Sequence, residues 1–503
     1  MAKAETFQDL ALAPPSPGQE LWRWLCGEVR AAILEGRLKP NARMPSTRSL
    51  ARQYKLARGT ATAAFDQLHS EGFLVTRRGA GTFVAANLPD ETVAAEENRA
   101  APEMPPSRAG LSNCGRAMIH GVRLLAPSRS LGKAFRSYEP AIDLFPVNQW
   151  SRVAGRVLRR APRSLYGQGD AHGYLPLRRA IAEYVGASRG VRSSADQVLV
   201  TSGAQHALDL TARLLLDPGD AVWCEDPGYP GAFCALRAAG AHLVPVPVDA
   251  EGIVVEAARA RSPRARLAYV TPSNQFPLGV TMSMERRRAL LAWAAGADAW
   301  VIEDEYDAEY RYFGRPQPAL ASLDSSGCVL YAGTFTKMLF NSLRIGFLVL
   351  PERLVEAYAA ARSITDRHPP TLEQAILAEF ILDGHFGLHV RRMRQTYAER
   401  MSLLVDEAQR HLGGLLEVER AAAGMRAMAW LRTPEGDRQA AGRARARGLE
   451  LAALSDFTLE YPQPAALILG FAGCAPREIR RGMEVLAAAL ETGAAEAPAA
   501  GIA

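Results

Sequence analysis

Between Gln197 and Leu350, short uninterrupted apolar runs alternate with amphipathic stretches, and this pattern constrains the fold more than any other feature of the chain. QVLVT (Gln197–Thr201) is followed at once by an apolar-periodic stretch, Ala204–Leu216. Similar runs return at Ala221–Cys224, Leu267–Thr271, Trp300–Glu303, Val329–Tyr331 and Gly346–Leu350. A run that is apolar at every position predicts a strand buried on both faces. With helices between the runs, the expected architecture is α/β, a mostly parallel central sheet covered on both sides. After Pro351 the pattern turns helical, and from about Met393 it reads as a small C-terminal α+β lobe.

That body does not account for the whole chain. At 503 residues about three structural units are expected. A stretch rich in Pro, Ala, Ser and charge, residues 86–136, lacks any sustained period and reads as a linker. It separates a small domain, 1–85, from a large one, 137–490, with an Ala-rich tail at 491–503. Charge divides at the same place. Residues 1–85 carry 12 Lys/Arg against 7 Asp/Glu, the remainder 47 against 46. A basic head suggests nucleic acid or another polyanion as its partner. The six cysteines (26, 114, 224, 234, 328, 474) form no CxxC and no metal-ligand spacing, so a disulfide scaffold and a metal site are not expected. With no secretory leader and no membrane-length apolar run, the expectation is a soluble, cytoplasmic protein.

In the head, Leu21, Leu25, Val29 and Ile33 recur at helical spacing. Ser46 is placed to cap a second helix running to Tyr54, and a short turn, Lys55–Ala57, leads into a third. There Ala61, Phe65 and Leu68 share one face, while Arg58, Thr60 and Thr62 open the other. Two short helices joined by a tight turn follow helix-turn-helix logic. FLVTRRGAGTFVA then reads as a hairpin with a basic, Gly-rich turn that could lie along phosphates. Together EGRLKPNARMPSTRSLA, the third helix and GAGTFV resemble the winged helix-turn-helix of the GntR regulators over most of Glu20–Ala85. The resemblance implies that Arg48, Arg58, Thr60 and the wing residues Arg77, Arg78 and Gly79 contact double-stranded DNA. Asn41 stands where that family usually has Gly, and Gly59 falls within the recognition helix.

Several segments of the body carry chemistry. VTSGAQ (200–205) ends a strand and opens a helix with small residues, leaving backbone N–H groups free for an anion. EDPGYPG (225–231) frames Tyr229 in a Pro/Gly loop. VIEDEYD (301–307) runs an apolar strand into four acids, which on their own read as a solvated loop. YAGTFTK (331–337) places Lys337 after a strand, with Arg344 seven residues on, and a buried lysine suits Schiff-base chemistry.

Jointly these segments resemble the pyridoxal 5'-phosphate site of fold-type I aminotransferases, and more closely the MocR branch of GntR regulators, from about Asp143 to Ala472. The resemblance implies that Lys337 carries the cofactor as a Schiff base, Asp304 pairs with the pyridine nitrogen, Tyr306 donates to the ring hydroxyl and Tyr229 stacks on the ring. Ser202, Gly203, Ala204, Gln205, Thr334, Thr336 and Arg344 would form the phosphate cup. Tyr166 would enter the partner's site in a homodimer. Three departures matter. In TPSNQFPLG, Phe276 occupies the usual Asn position, leaving Asn274 or Gln275 to reach the ring oxygen. Glu305 replaces the commoner Asp. Ile468 stands where aminotransferases place the arginine that grips a substrate carboxylate, with Arg426 as candidate substitute.

The expected function is a pyridoxal-phosphate-dependent transcriptional regulator that senses an amine, an amino acid or the cofactor itself, with little or no transaminase turnover. The alternative is an active aminotransferase with an appended DNA-binding head.

Overall fold

The computed structural model describes residues 12–16, 18–77, 79–86, 110–112, 114–116, 118–119 and 134–496. Arg78, most of the expected linker and residues 497–503 lie outside this set. The chain divides into two compact units, Met1–Ala109 and Gly110–Ala503.

The first unit has three helices and a hairpin. Helix α1 (Leu21–Leu34) buries Trp24, Leu25, Cys26, Val29, Ala32 and Ile33. Leu21, expected on that stripe, sits in the first turn and is 45% exposed. In α2 (Thr47–Gln53) the Ser46 hydroxyl accepts from the Ser49 amide at 3.1 Å, the expected cap. Helix α3 (Arg58–Ser70) buries Ala61, Ala64, Phe65 and Leu68. Strands β1 (Leu74–Arg77) and β2 (Gly81–Val84) pair antiparallel from Leu74↔Val84 to Arg77↔Gly81.

The second unit is built on an eight-stranded sheet ordered β3-β10-β9-β8-β7-β4-β5-β6. Its strands are β3 (Val198–Thr201), β4 (Ala221–Asp226), β5 (His242–Asp249), β6 (Gly252–Ile253), β7 (Leu267–Val270), β8 (Trp300–Glu305), β9 (Val329–Thr334) and β10 (Gly346–Val349). Pairings among β4, β5, β7, β8 and β9 are parallel, whereas β10 runs antiparallel to both its neighbours and β6 to β5. Adjacent residues feed opposite faces, which is why the runs are continuously apolar. Leu199, Leu330 and Ala332 join a core that includes residues of the helices Ala204–Leu215 and Pro230–Ala238. Val198, Val200 and Tyr331 pack on the other side, with residues of Leu175–Arg189 and His385–Leu412. Strands β5 and β6 were not anticipated: two prolines, Pro245 and Pro247, interrupt the apolar run.

The C-terminal lobe carries an antiparallel sheet ordered β11-β12-β14-β13, from Leu416–Val418, Arg426–Leu431, Ala466–Gly470 and Ala452–Ala453 respectively. Its expected start near Met393 falls inside one long helix, His385–Leu412. Its last helix runs to Glu496, so the first residues of the expected tail are helical. The last residues of the expected linker belong to the lobe as well. Phe135 is fully buried and bridges Gly470, and Glu450 N donates to Ala134 O at 2.9 Å. Loops tie the lobe to the large sheet. The Asp226 carboxylate, at the end of β4, accepts from the amides of Leu459, Glu460 and Tyr461 at 2.6–2.9 Å.

Candidate functional site

Strand order explains why residues far apart in sequence meet. The carboxyl ends of β3, β9 and β8 and the amino end of antiparallel β10 lie along one sheet edge in the order β3-β10-β9-β8. The turns leaving them deliver Ala204–Gln205, Arg344, Thr334–Lys337 and Asp304–Tyr306 to neighbouring positions. Strand carboxyl ends are where α/β sheets bind ligands. A cavity of about 160 Å³ opens there, lined by Ala204, Gln205, Asp304, Tyr306, Thr334, Thr336, Lys337 and Arg344 with Tyr138, Tyr229, Tyr269 and Phe276.

Lys337 Nζ donates to Tyr138 O at 2.9 Å and to Asn341 Oδ1 at 3.4 Å. Burial, helped by the Arg344 charge, pulls its ammonium down to about 8, toward the neutral nucleophilic form. Asp304 Oδ2 accepts from the Tyr269 hydroxyl at 2.8 Å, while Oδ1 is buried without a partner. Burial pushes this carboxyl up to about 7, and the Tyr269 hydrogen bond offsets only part of that. A buried carboxylate with a free oxygen calls for a cationic N–H across the cavity. Thr336 Oγ1 is likewise buried and unpartnered.

At the start of the helix Ala204–Leu215, backbone conformation sets the cavity wall. Gly203 precedes the helix Ala204–Leu215 at φ +92°, a conformation that favours glycine, and a Cβ there would lie 3.0 Å from Arg344 Nη2. Arg344 itself donates to Ser202 O at 2.9 Å. Ser202 and Gly203 thus hold Arg344, while Ala204 and Gln205 form the wall. The Tyr229 hydroxyl donates to Gln205 Oε1 at 3.4 Å, and burial raises that phenol to about 12.

Other expected residues are placed differently. Asn274 does not line the cavity: its amide donates to both Asp307 oxygens, at 2.8 and 3.0 Å. Gln275 turns to Pro227 O and Phe276 O, leaving the Phe276 ring on the cavity wall. Tyr306 donates to Asn274 O and accepts from Arg426 Nη2, both at 2.7 Å. Arg426 is buried, with Nε and Nη2 also spent on Pro277 O and Gln275 O at 3.1 and 3.0 Å. Its Nη1 makes no hydrogen bond and lies 3.8 Å from Asp307 Oδ2. Ile468, opposite Met428 in the lobe sheet, is fully buried among Met428, Leu454 and Ala466. Tyr166 is 61% exposed and lies outside the cavity of its own subunit.

Tyr138 and Tyr269 were missed by sequence reasoning. Tyr269 sits in LAYVT next to the strand that carries Asp304, but only the register Tyr269↔Ile302 brings the two together. Tyr138 lay just past the expected linker, and no local motif marks it.

In the head, Arg48, Arg58, Arg77 and Gly79 are exposed, and Thr60 is half-buried in the first turn of α3. Asn41 adopts φ +62°, the left-handed region that glycine favours, which Asn tolerates best among other residues. Its Oδ1 accepts from Arg77 Nη2 at 2.8 Å, and the Arg77 guanidinium lies 4.8 Å from the Phe83 ring centre.

Comparison with known proteins agrees with both units. Residues 25–84 match the family of bacterial regulatory proteins, gntR family, and residues 141–481 match aminotransferase class I and II. The chain is 42% identical to the "Probable rhizopine catabolism regulatory protein MocR" of Rhizobium meliloti, over 93% of each chain. It is 35% identical to the HTH-type transcriptional regulator TauR of Rhodobacter capsulatus, over 78% of this chain and 80% of that one. Among solved structures, the α-aminoadipate aminotransferase LysN of Thermus thermophilus superposes with a TM-score of 0.67 at 27% identity, covering 77% of this chain and 96% of that one. The chain therefore belongs to the MocR branch of the GntR regulators, a winged helix-turn-helix joined to an aminotransferase-like domain.

Proposed function

We propose that this chain is a cytoplasmic, homodimeric regulator that holds pyridoxal 5'-phosphate around Lys337 and thereby senses a small amine or amino acid, or the supply of the cofactor itself. One observation carries the reading. A buried lysine driven toward its neutral form, an aspartate with an unsatisfied oxygen and a helix start facing Arg344 converge on one cavity, in a chain that also bears a DNA-binding head.

The residues fit the cofactor. When bound, it supplies an aldehyde that an amino group can attack and a ring that accepts electron density. Lys337 would hold the aldehyde carbon, and Asp304 Oδ1 would keep a proton on the ring nitrogen. Tyr229 and Phe276 would flank the ring, and Tyr306 would reach its hydroxyl. Ala204, Gln205, Thr334, Thr336 and Arg344 would hold the phosphate, with Ser202 and Gly203 fixing Arg344. Asn274 would act indirectly, by holding Asp307. Tyr166 of the partner subunit would complete the site, consistent with its exposure here. Arg48, Arg58, Thr60, Arg77, Arg78 and Gly79 would contact DNA.

Turnover is expected to be slight. Among the described residues, the only cations lining the cavity are Lys337 and Arg344, and Ile468 is apolar and packed away. Arg426 has a single N–H nitrogen without a hydrogen bond, too little for a two-point grip on a carboxylate. Among the described residues, none would then position an α-carbon for repeated proton transfer.

The test is a titration of purified protein with pyridoxal phosphate. A visible absorption band should develop, and borohydride should fix the label on Lys337. Absence of both would overturn the proposal.

A further inference from the structure

Residues 134–141 cover the site in an unusual way. Two non-glycine residues three positions apart, Phe135 (φ +70°) and Tyr138 (φ +69°), adopt left-handed backbone, which side chains with a Cβ disfavour. Such a conformation persists only while its surroundings hold it. At one end the holding contacts are Gly470 N to Phe135 O at 3.0 Å and Phe135 N to Cys474 Sγ at 3.2 Å; at the other, Ala141 N donates to Tyr397 Oη at 3.0 Å. At the centre is Lys337, whose Nζ donates to Tyr138 O and lies 5.5 Å from the Tyr138 ring centre. The same ring lies 5.2 Å from Phe276 and 5.5 Å from the Arg426 guanidinium, and its hydroxyl is buried with no partner.

We infer that Tyr138 is a ligand-responsive cap: occupation of Lys337 breaks its bond to the Tyr138 carbonyl and releases the segment 134–141. The inference rests on the proposed cofactor reading. Its chemistry is simple. A neutral amine that condenses with an aldehyde forms a C=N bond and loses both its protons with the departing water. Nζ then holds at most one proton, which the ring hydroxyl beside it would claim, and the Tyr138 carbonyl must find another donor or move. An arriving amine that displaces Lys337 returns those protons to Nζ, so the cap can distinguish free, cofactor-loaded and amine-loaded states. An equilibrium biased in this way is what a sensor requires.

Amide hydrogen exchange on the full-length protein tests this. Pyridoxal phosphate should speed exchange at Phe135, Ala141, Glu450 and Gly470 at least about tenfold. Lys337→Ala should do the same without any ligand, because it removes the donor outright. Tyr138→Gly keeps the carbonyl but relieves the strained backbone angle, so it should fold and lose most of the cofactor-dependent change in the segment. Cofactor binding seen by absorbance, with unchanged exchange at these four amides, would overturn the cap while leaving the cofactor reading intact. Unchanged exchange in Lys337→Ala would overturn it independently of any ligand. Failure to bind the cofactor at all would instead overturn the reading beneath it.

Discussion

Asp304 shows at the scale of one side chain how a site can be unstable until filled. Its folded value of about 7 lies above the ordinary carboxylate value near 4. Between those values the unfolded chain binds fewer protons than the folded one, so the empty fold loses stability as pH rises from about 4 to 7. Asp304→Asn should remove its share of that slope, with Glu225, Glu303 and Asp307, also raised by burial, keeping theirs, and stabilise the empty protein at pH 7.5 by on the order of 2–4 kcal/mol, while weakening cofactor binding. Melting curves of wild type and variant across pH check this; parallel curves would show that Asp304 is not the group responsible. Lys337, Asp304 and Arg344 were legible in the sequence because each sits in a short motif at a strand end. Tyr269 and Tyr138 were not, because their roles depend on strand register and on a segment returning from 199 positions away.

At the scale of elements, β8 departs most from its sequence reading. EDEYD looks like a solvated acidic loop, yet Glu303, Asp304, Glu305 and Asp307 are all buried. Alternation along the strand separates their tasks. Glu303 accepts from the amides of Leu320 and Ala321 at 2.7 and 2.9 Å, and Glu305 lies 3.1 Å from Arg189, while Asp304 alone faces the cavity. Apolar strands and helix starts were readable from periodicity; buried acids were not, since their partners come from other elements. The wing has its own test. Asn41→Gly preserves the backbone angle but frees Arg77, so duplex binding should weaken roughly three- to tenfold, the net worth of one ordinary exposed hydrogen bond. Arg77→Ala should weaken it further and reduce the salt dependence by about 0.9 in slope, the contribution of one phosphate. On the Arg77→Ala background, Asn41→Gly should add nothing; an additive loss would mean that Asn41 acts elsewhere.

For the whole molecule, the two-unit plan was visible in the charge division and in the Pro- and Ala-rich stretch between the units, though the lobe reaches back to take in residues 134–136. The effector class is open to direct measurement. Across a panel of amines and α-amino acids, spectral change on the loaded protein should favour amines without an α-carboxylate, and keto-acid release should stay near background. Rapid multiple-turnover transamination would make the enzyme reading primary. A last consequence concerns time rather than affinity. The large sheet and the lobe are bolted together twice, by Arg426 on the carbonyls of Gln275 and Pro277 and by Asp226 on three amides of residues 459–461. Swinging the lobe aside would strand a buried guanidinium and a buried carboxylate together. Molecules would then have to reach the cavity with the lobe held in place. Exchange that cannot use a hinge would be slow, and a sensor with slow exchange would average over fluctuations in its signal, remembering an exposure after the concentration has fallen.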